Sequence, residues 1–130
     1  MAKKFFFKIV ADPDVDPRKC VVGMACAAQA LEDGHEVDIF FASNAVKLLQ
    51  ENYLSEIDRS SGVSAGMSRA ILDKIIDGGC GIYCSTGSQA GVGVTKENAE
   101  EMLVPGLGMI WSGPPGVVSL SANSDIQLVY

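Results

Sequence analysis

Long apolar runs are absent from this sequence. No stretch approaches the roughly 18 residues that a bilayer-crossing helix requires. The triplet Phe5-Phe6-Phe7 is too short for a signal-peptide core, and no small-residue cleavage site follows it. A soluble cytoplasmic protein without a membrane partner is therefore expected. Histidine is almost missing: His35 is the only one. Neither Cys20 with Cys26 nor Cys80 with Cys84 has zinc-ligand spacing, and one imidazole does not complete such a set, so no metal is expected. A basic surplus is missing as well. The net charge of −6 repels phosphate backbones and argues against a nucleic-acid partner.

Dense blocks of one charge are also lacking. The most acidic spots, Asp12-Pro13-Asp14-Val15-Asp16 and Glu97-Asn98-Ala99-Glu100-Glu101, read as a solvated loop and a solvated helix face. The first alternates like a calcium loop but has neither the glycine nor the distal glutamate that loop demands. Disulfide spacing is absent. On a strand, Cys80 and Cys84 lie about 13 Å apart, beyond bridging reach. On a helix, Cys20 and Cys26 point to different sides. Reduced thiols in a reducing compartment follow.

What the sequence does contain is a core. The chain has 130 residues, 48% of them hydrophobic, enough for one domain over residues 1–130, with no internal repeat or linker. Lys4 to Val10 is an apolar run that predicts an interior parallel strand, with Lys8 placed along the sheet rim. Pro17 suits a first helical turn, and Val21, Val22, Met24, Ala25, Ala28 and Leu31 recur at near-helical spacing up to Gly34. Glu36 to Ala42 is a second strand. Ser43 or Asn44 is positioned to cap a helix carrying Val46, Leu48 and Leu49. Glu51 to Gly62 reads as irregular. Ser64 to Asp77 reads as a helix with Met67, Ile71, Leu72, Ile75 and Ile76 inward, and Cys80 to Cys84 as a third strand. Thr95 can cap a short helix ending near Leu103. Met109 to Trp111, Val117 to Leu120 and Ile126 to Tyr130 read as strands. Strand and helix alternate, which predicts a single-domain three-layer α/β/α fold with a mainly parallel, flavodoxin-like sheet.

Cys84 ends an apolar run and is followed at once by Ser85-Thr86-Gly87-Ser88-Gln89-Ala90-Gly91. That pattern places a nucleophilic side chain where a buried strand opens into a loop, at the carboxyl edge where such sheets bind ligands. The loop amides of Ser85, Thr86, Gly87 and Ser88 are candidates for an anion pocket, and a helix starting there adds its dipole. The bland reading is that free cysteines pack as small hydrophobes. It suits Cys80 and Cys26, whereas Cys20, near a first helical turn at the same edge, is a candidate second thiol. His35 lies at the opposite edge and reads as structural. The glycines from Gly87 to Gly93 fit neither the dinucleotide fingerprint nor the phosphate loop.

Several segments together resemble the DsrE/DsrF-like family of small sulfur-relay proteins. They are the small-residue helix running into Leu31-Glu32-Asp33-Gly34-His35-Glu36-Val37-Asp38-Ile39-Phe40-Phe41, then Val46-Lys47-Leu48-Leu49, Gly78-Gly79, the strand ending at Cys84, Ala90-Gly91-Val92 and Pro105-Gly106-Leu107. The resemblance implies the DsrE-like fold, a persulfide carried on Cys84 without a cofactor, sulfur donor and acceptor proteins as partners, and a trimeric or hexameric homo-oligomer. The apolar segment from Pro105 to Leu120 reads either as the final core layer or as a patch buried between subunits, and the resemblance favours the second. Many relatives hold an arginine where this chain has Ala90, so a cation that lowers a thiol pKa is missing. Three functions follow in order: a sulfur-relay protein using Cys84; a non-catalytic oligomeric binding module for a small anion or partner protein; and a flavin or nucleotide binder.

Overall fold

Along the first strand, Phe5, Phe7 and Ile9 alternate with Lys4, Phe6 and Lys8, so the two faces of the sheet differ from the outset. The computed structural model describes Met1–Tyr130. Its elements are β1 (Lys4–Ile9), α1 (Pro17–Glu32), β2 (Glu36–Phe41), a 3-10 helix (Ser43–Leu49), α2 (Leu54–Ser61), α3 (Met67–Asp77), β3 (Gly81–Ser85), α4 (Thr86–Gly91), α5 (Ala99–Met102), β4 (Ile110–Ser112), α6 (Pro114–Ala122) and β5 (Ile126–Val129). The five strands are all parallel, in the order β4-β3-β2-β1-β5. The α/β/α architecture expected from the alternating pattern is the one observed.

Register sorts the side chains. Ile9 lies beside Phe41, Phe41 beside Cys84 and Cys84 beside Trp111 on one face. That face, with Phe7, Ile39 and Ile82, forms the main core with α1, α2, α3 and the 3-10 helix. Gly23 lets α1 approach closely: a Cβ there would stand 2.6 Å from Ile9 Cδ1 and 3.0 Å from the Tyr130 ring. On the other face Lys8 lies beside Phe40 and Val129, and Phe40 beside Tyr83. The Phe40 and Tyr83 rings stack at 6.2 Å. This second face is crossed by α6, whose Gly116 sits against Ser112 and the Phe40 ring.

Several local expectations are corrected. Val117 to Leu120 is helical, within α6. Its β-branched residues suggested a strand, but Pro114 and Pro115 set a first turn, and the chain must cross from β4 at one edge to β5 at the other. Glu51 to Gly62 is not irregular: α2 turns Leu54, Ile57, Asp58 and Ser61 inward, a helical spacing masked because half of that stripe is polar. Neither Ser43 nor Asn44 caps the following segment, and Ser43 instead adopts a left-handed φ of 54°. The third helix starts at Met67, which is exposed rather than inward. Its start is held from a distance: Asp58 accepts the N–H groups of Gly66 at 2.7 Å and Ser68 at 2.9 Å. The short helix near residue 100 starts after Asn98 and not at Thr95; no side chain caps it, and the Asn98 Oδ1 instead accepts the Thr95 N–H in the preceding turn.

Candidate functional site at the carboxyl edge

β3 carries Cys84 to the carboxyl edge, and α4 begins immediately after Ser85. Alternation along β3 points Cys84 into the main core and Ser85 to the opposite face. The sulfur is sealed: Cys84 is 0% exposed, packs in the apolar cluster, and lines none of the larger surface clefts. Burial pushes its thiol up to about 11, and a hydrogen bond with Gln89 offsets only part of that. At neutral pH about one such thiol in ten thousand is ionised. No cation approaches to change this, since position 90 is an exposed alanine.

The anion pocket expected from Ser85, Thr86, Gly87 and Ser88 does not close around this sulfur. Ser85 caps α4, accepting the Ser88 N–H at 3.1 Å. The Ser88 hydroxyl accepts the Ser43 N–H at 2.8 Å and so ties α4 to the 3-10 helix. Thr86 and Gly87 stand exposed on the first turn of a six-residue helix. The segment weighed as a phosphate loop is therefore mostly helix, with its polar side chains engaged in local structure.

The other thiols follow the same logic. Cys20 is fully buried, its Sγ 3.4 Å from the Ala11 carbonyl oxygen. Burial, reinforced by Asp16 and Asp12, raises it to about 11, so it offers no ready second thiol. Cys80 lies half-buried before β3 and is raised to about 12 by burial and by Asp38. Cys26 is half-buried beside Tyr130. His35 is structural: its Nδ1 accepts the Lys3 N–H at 2.9 Å and its ring packs 4.9 Å from that of Phe5.

Sequence reasoning missed Gln89, beside Cys84, and misplaced Lys8, which stands inside the sheet and not along its rim. Gln89 is 0% exposed; its Nε2 lies 3.9 Å from Met109 Sδ, and its Oε1 has no partner. A polar residue inside a loop-like segment gives no periodic signal that it is buried. Lys8 did carry a signal, as a charge inside an apolar strand. The structure places it in a cleft of about 340 Å³ between the second sheet face and α6, together with Ser85. A second cleft of about 640 Å³ lies along the outer side of β4, lined by Leu103, Leu107, Met109 and Trp111 among others. Elsewhere on the carboxyl edge, hydrogen bonds from Lys47 and Tyr53 hold the Asp14 carboxyl below its usual range.

No family model and no curated protein matches the chain. Among solved structures it is similar to the crystal structure of the YchN protein from E. coli, with a TM-score of 0.71 over all of both chains at 13% identity. At that identity the likeness establishes a shared YchN-like, DsrE-like fold. No helix is long and apolar enough to cross a membrane.

Proposed function

We propose that this chain is an oligomeric binding module built on the DsrE-like fold, acting through its carboxyl edge and not through a reactive thiol. The burial of Cys84 carries this reading: a sulfur at 0% exposure with a thiol near 11 is a poor nucleophile at neutral pH. Assembly is supported by the segment from Met102 to Ser124, which contains no charged residue in a chain that is 20% charged as a whole. It leaves Ile110 and Val118 exposed at 47% and 67%. Depletion of charge around exposed apolar groups is the compositional mark of a contact surface.

The test is the pH dependence of alkylation at Cys84 in the folded protein. We expect negligible capture at pH 7 and a rise only in strongly alkaline solution. A profile with its midpoint at or below neutrality would overturn the reading.

A second reading, persulfide carriage, is favoured by one observation: Cys84 is the penultimate residue of β3, one residue before the turn into α4, in which only Gln89 is buried. Displacing that short helix bares the sulfur. The Cys84 thiolate then attacks the outer sulfur of a donor persulfide, forming a new S–S bond as the donor thiolate leaves. This reading expects a mass gain of about 32 Da that Cys84→Ser abolishes and Cys80→Ser retains.

A further inference from the structure

The cleft over Lys8 is unlike the rest of the carboxyl edge. Its floor is Lys8, Phe40, Ala42 and Ser85, and its wall is the start of α6. Lys8 is half-buried in the middle of the sheet, flanked by Phe40 and Val129. The chain's ion pairs involve Lys47, Arg59 and Arg69, and the Lys8 ammonium makes neither an ion pair nor a side-chain hydrogen bond. Its ammonium therefore has no internal counter-charge, and no acidic residue lines the cleft.

Two more donors border the same space. The Ser85 oxygen accepts the Ser88 N–H, and its own O–H proton has no acceptor in the chain. The Gly113 N–H has no backbone acceptor in the chain. The remaining lining, Phe40, Ala42, Pro114, Val117 and Val118, is apolar. A volume of about 340 Å³ falls at the small end of ligand sites. An inorganic anion would use the donors and leave the apolar wall wet. A neutral apolar molecule would leave the ammonium without a partner.

The geometry points to a site for a small organic carboxylate with a short aliphatic body, its carboxylate on Lys8 and Ser85 and its chain against Phe40 and Val118. This assignment rests on the binding-module reading and names its ligand class. The apolar wall supplies burial and the ammonium supplies a charge-assisted bond that fixes polarity.

The test is calorimetric titration of the purified full chain with acetate, butyrate, hexanoate and hexylamine. We expect saturable binding of hexanoate, tightening from acetate to hexanoate, and none of hexylamine. Lys8→Met is expected to weaken hexanoate about tenfold or more, while Lys8→Arg retains most of the affinity. Lys8→Gln gives the same loss and serves if the methionine variant fails to fold. Absence of saturable hexanoate binding, equal binding by Lys8→Met or Lys8→Gln, or equal binding of hexylamine would overturn the assignment. These outcomes separate from the parent reading: hexanoate silence with an unreactive Cys84 sinks only the ligand, whereas a low alkylation midpoint sinks the module itself.

Discussion

Residue 84 shows how much a side chain's chemistry depends on which way the strand turns it. A one-residue offset separates Cys84, sealed in the core, from Ser85, which faces the Lys8 cleft. The edge position of the cysteine is legible from the sequence, because an apolar run stopping at a Ser/Thr/Gly cluster marks a strand end. Its burial is not legible, since both faces of an interior parallel strand are apolar and alternation gives no direction. Gln89 is illegible for a related reason: nothing near it in sequence reveals that α4 folds back over the sulfur. Its unpartnered Oε1 has a stability consequence. Gln89→Met keeps the volume and removes a stranded acceptor, so we expect a gain of about 1 kcal/mol in urea unfolding. A loss of similar size would mean that the Cys84 thiol proton satisfies that oxygen.

Among the elements, β1, β2, β3, β5 and α1 follow directly from hydrophobic runs and their stop signals. The elements that sequence misjudges are those defined by tertiary demands. α6 is helical because two edges must be joined, and α2 is helical because Asp58 must reach α3. The Asp58 carboxyl is pulled two ways: burial raises it, and hydrogen bonds from Ser68 and Gly66 outweigh that to hold it below the ordinary range. Because the folded value is depressed, its contribution is complete above about pH 4 and is lost as pH falls through the folded value. Asp58→Ala is expected to cost about 1–3 kcal/mol at pH 7 and to flatten the acid limb of a stability profile followed by circular dichroism. An unchanged acid limb would place the acid sensitivity elsewhere.

For the molecule as a whole, two measurements follow. If the uncharged segment is a contact surface, light scattering after gel filtration should show an oligomer, and Ile110→Asp, outside the Lys8 cleft, should shift it to monomer without loss of secondary structure. A monomer in the unmodified protein would leave that surface unexplained. The second concerns alkaline pH. Cys20 and Cys84 sit near 11 and Cys80 near 12 in the folded state, against about 8.5 for a free thiol. The folded values are raised, so their stabilisation is intact below about pH 8.5 and is lost as pH climbs through the folded range. Unfolding midpoints should fall steeply from about pH 9 to 11, and Cys20→Ala with Cys84→Ala should blunt the slope.

The strand order carries a consequence for synthesis. β1 takes Ile126 to Val129 as its outer neighbour, across almost the whole chain. While the polypeptide emerges from the ribosome, β1 can pair with β2 but must wait, its other hydrogen-bonding flank bare, until residues 126 to 129 have been made. A nascent chain stalled before residue 126 would expose a phenylalanine-rich ribbon open to sticking, and such stalled chains should be the ones that chaperones hold.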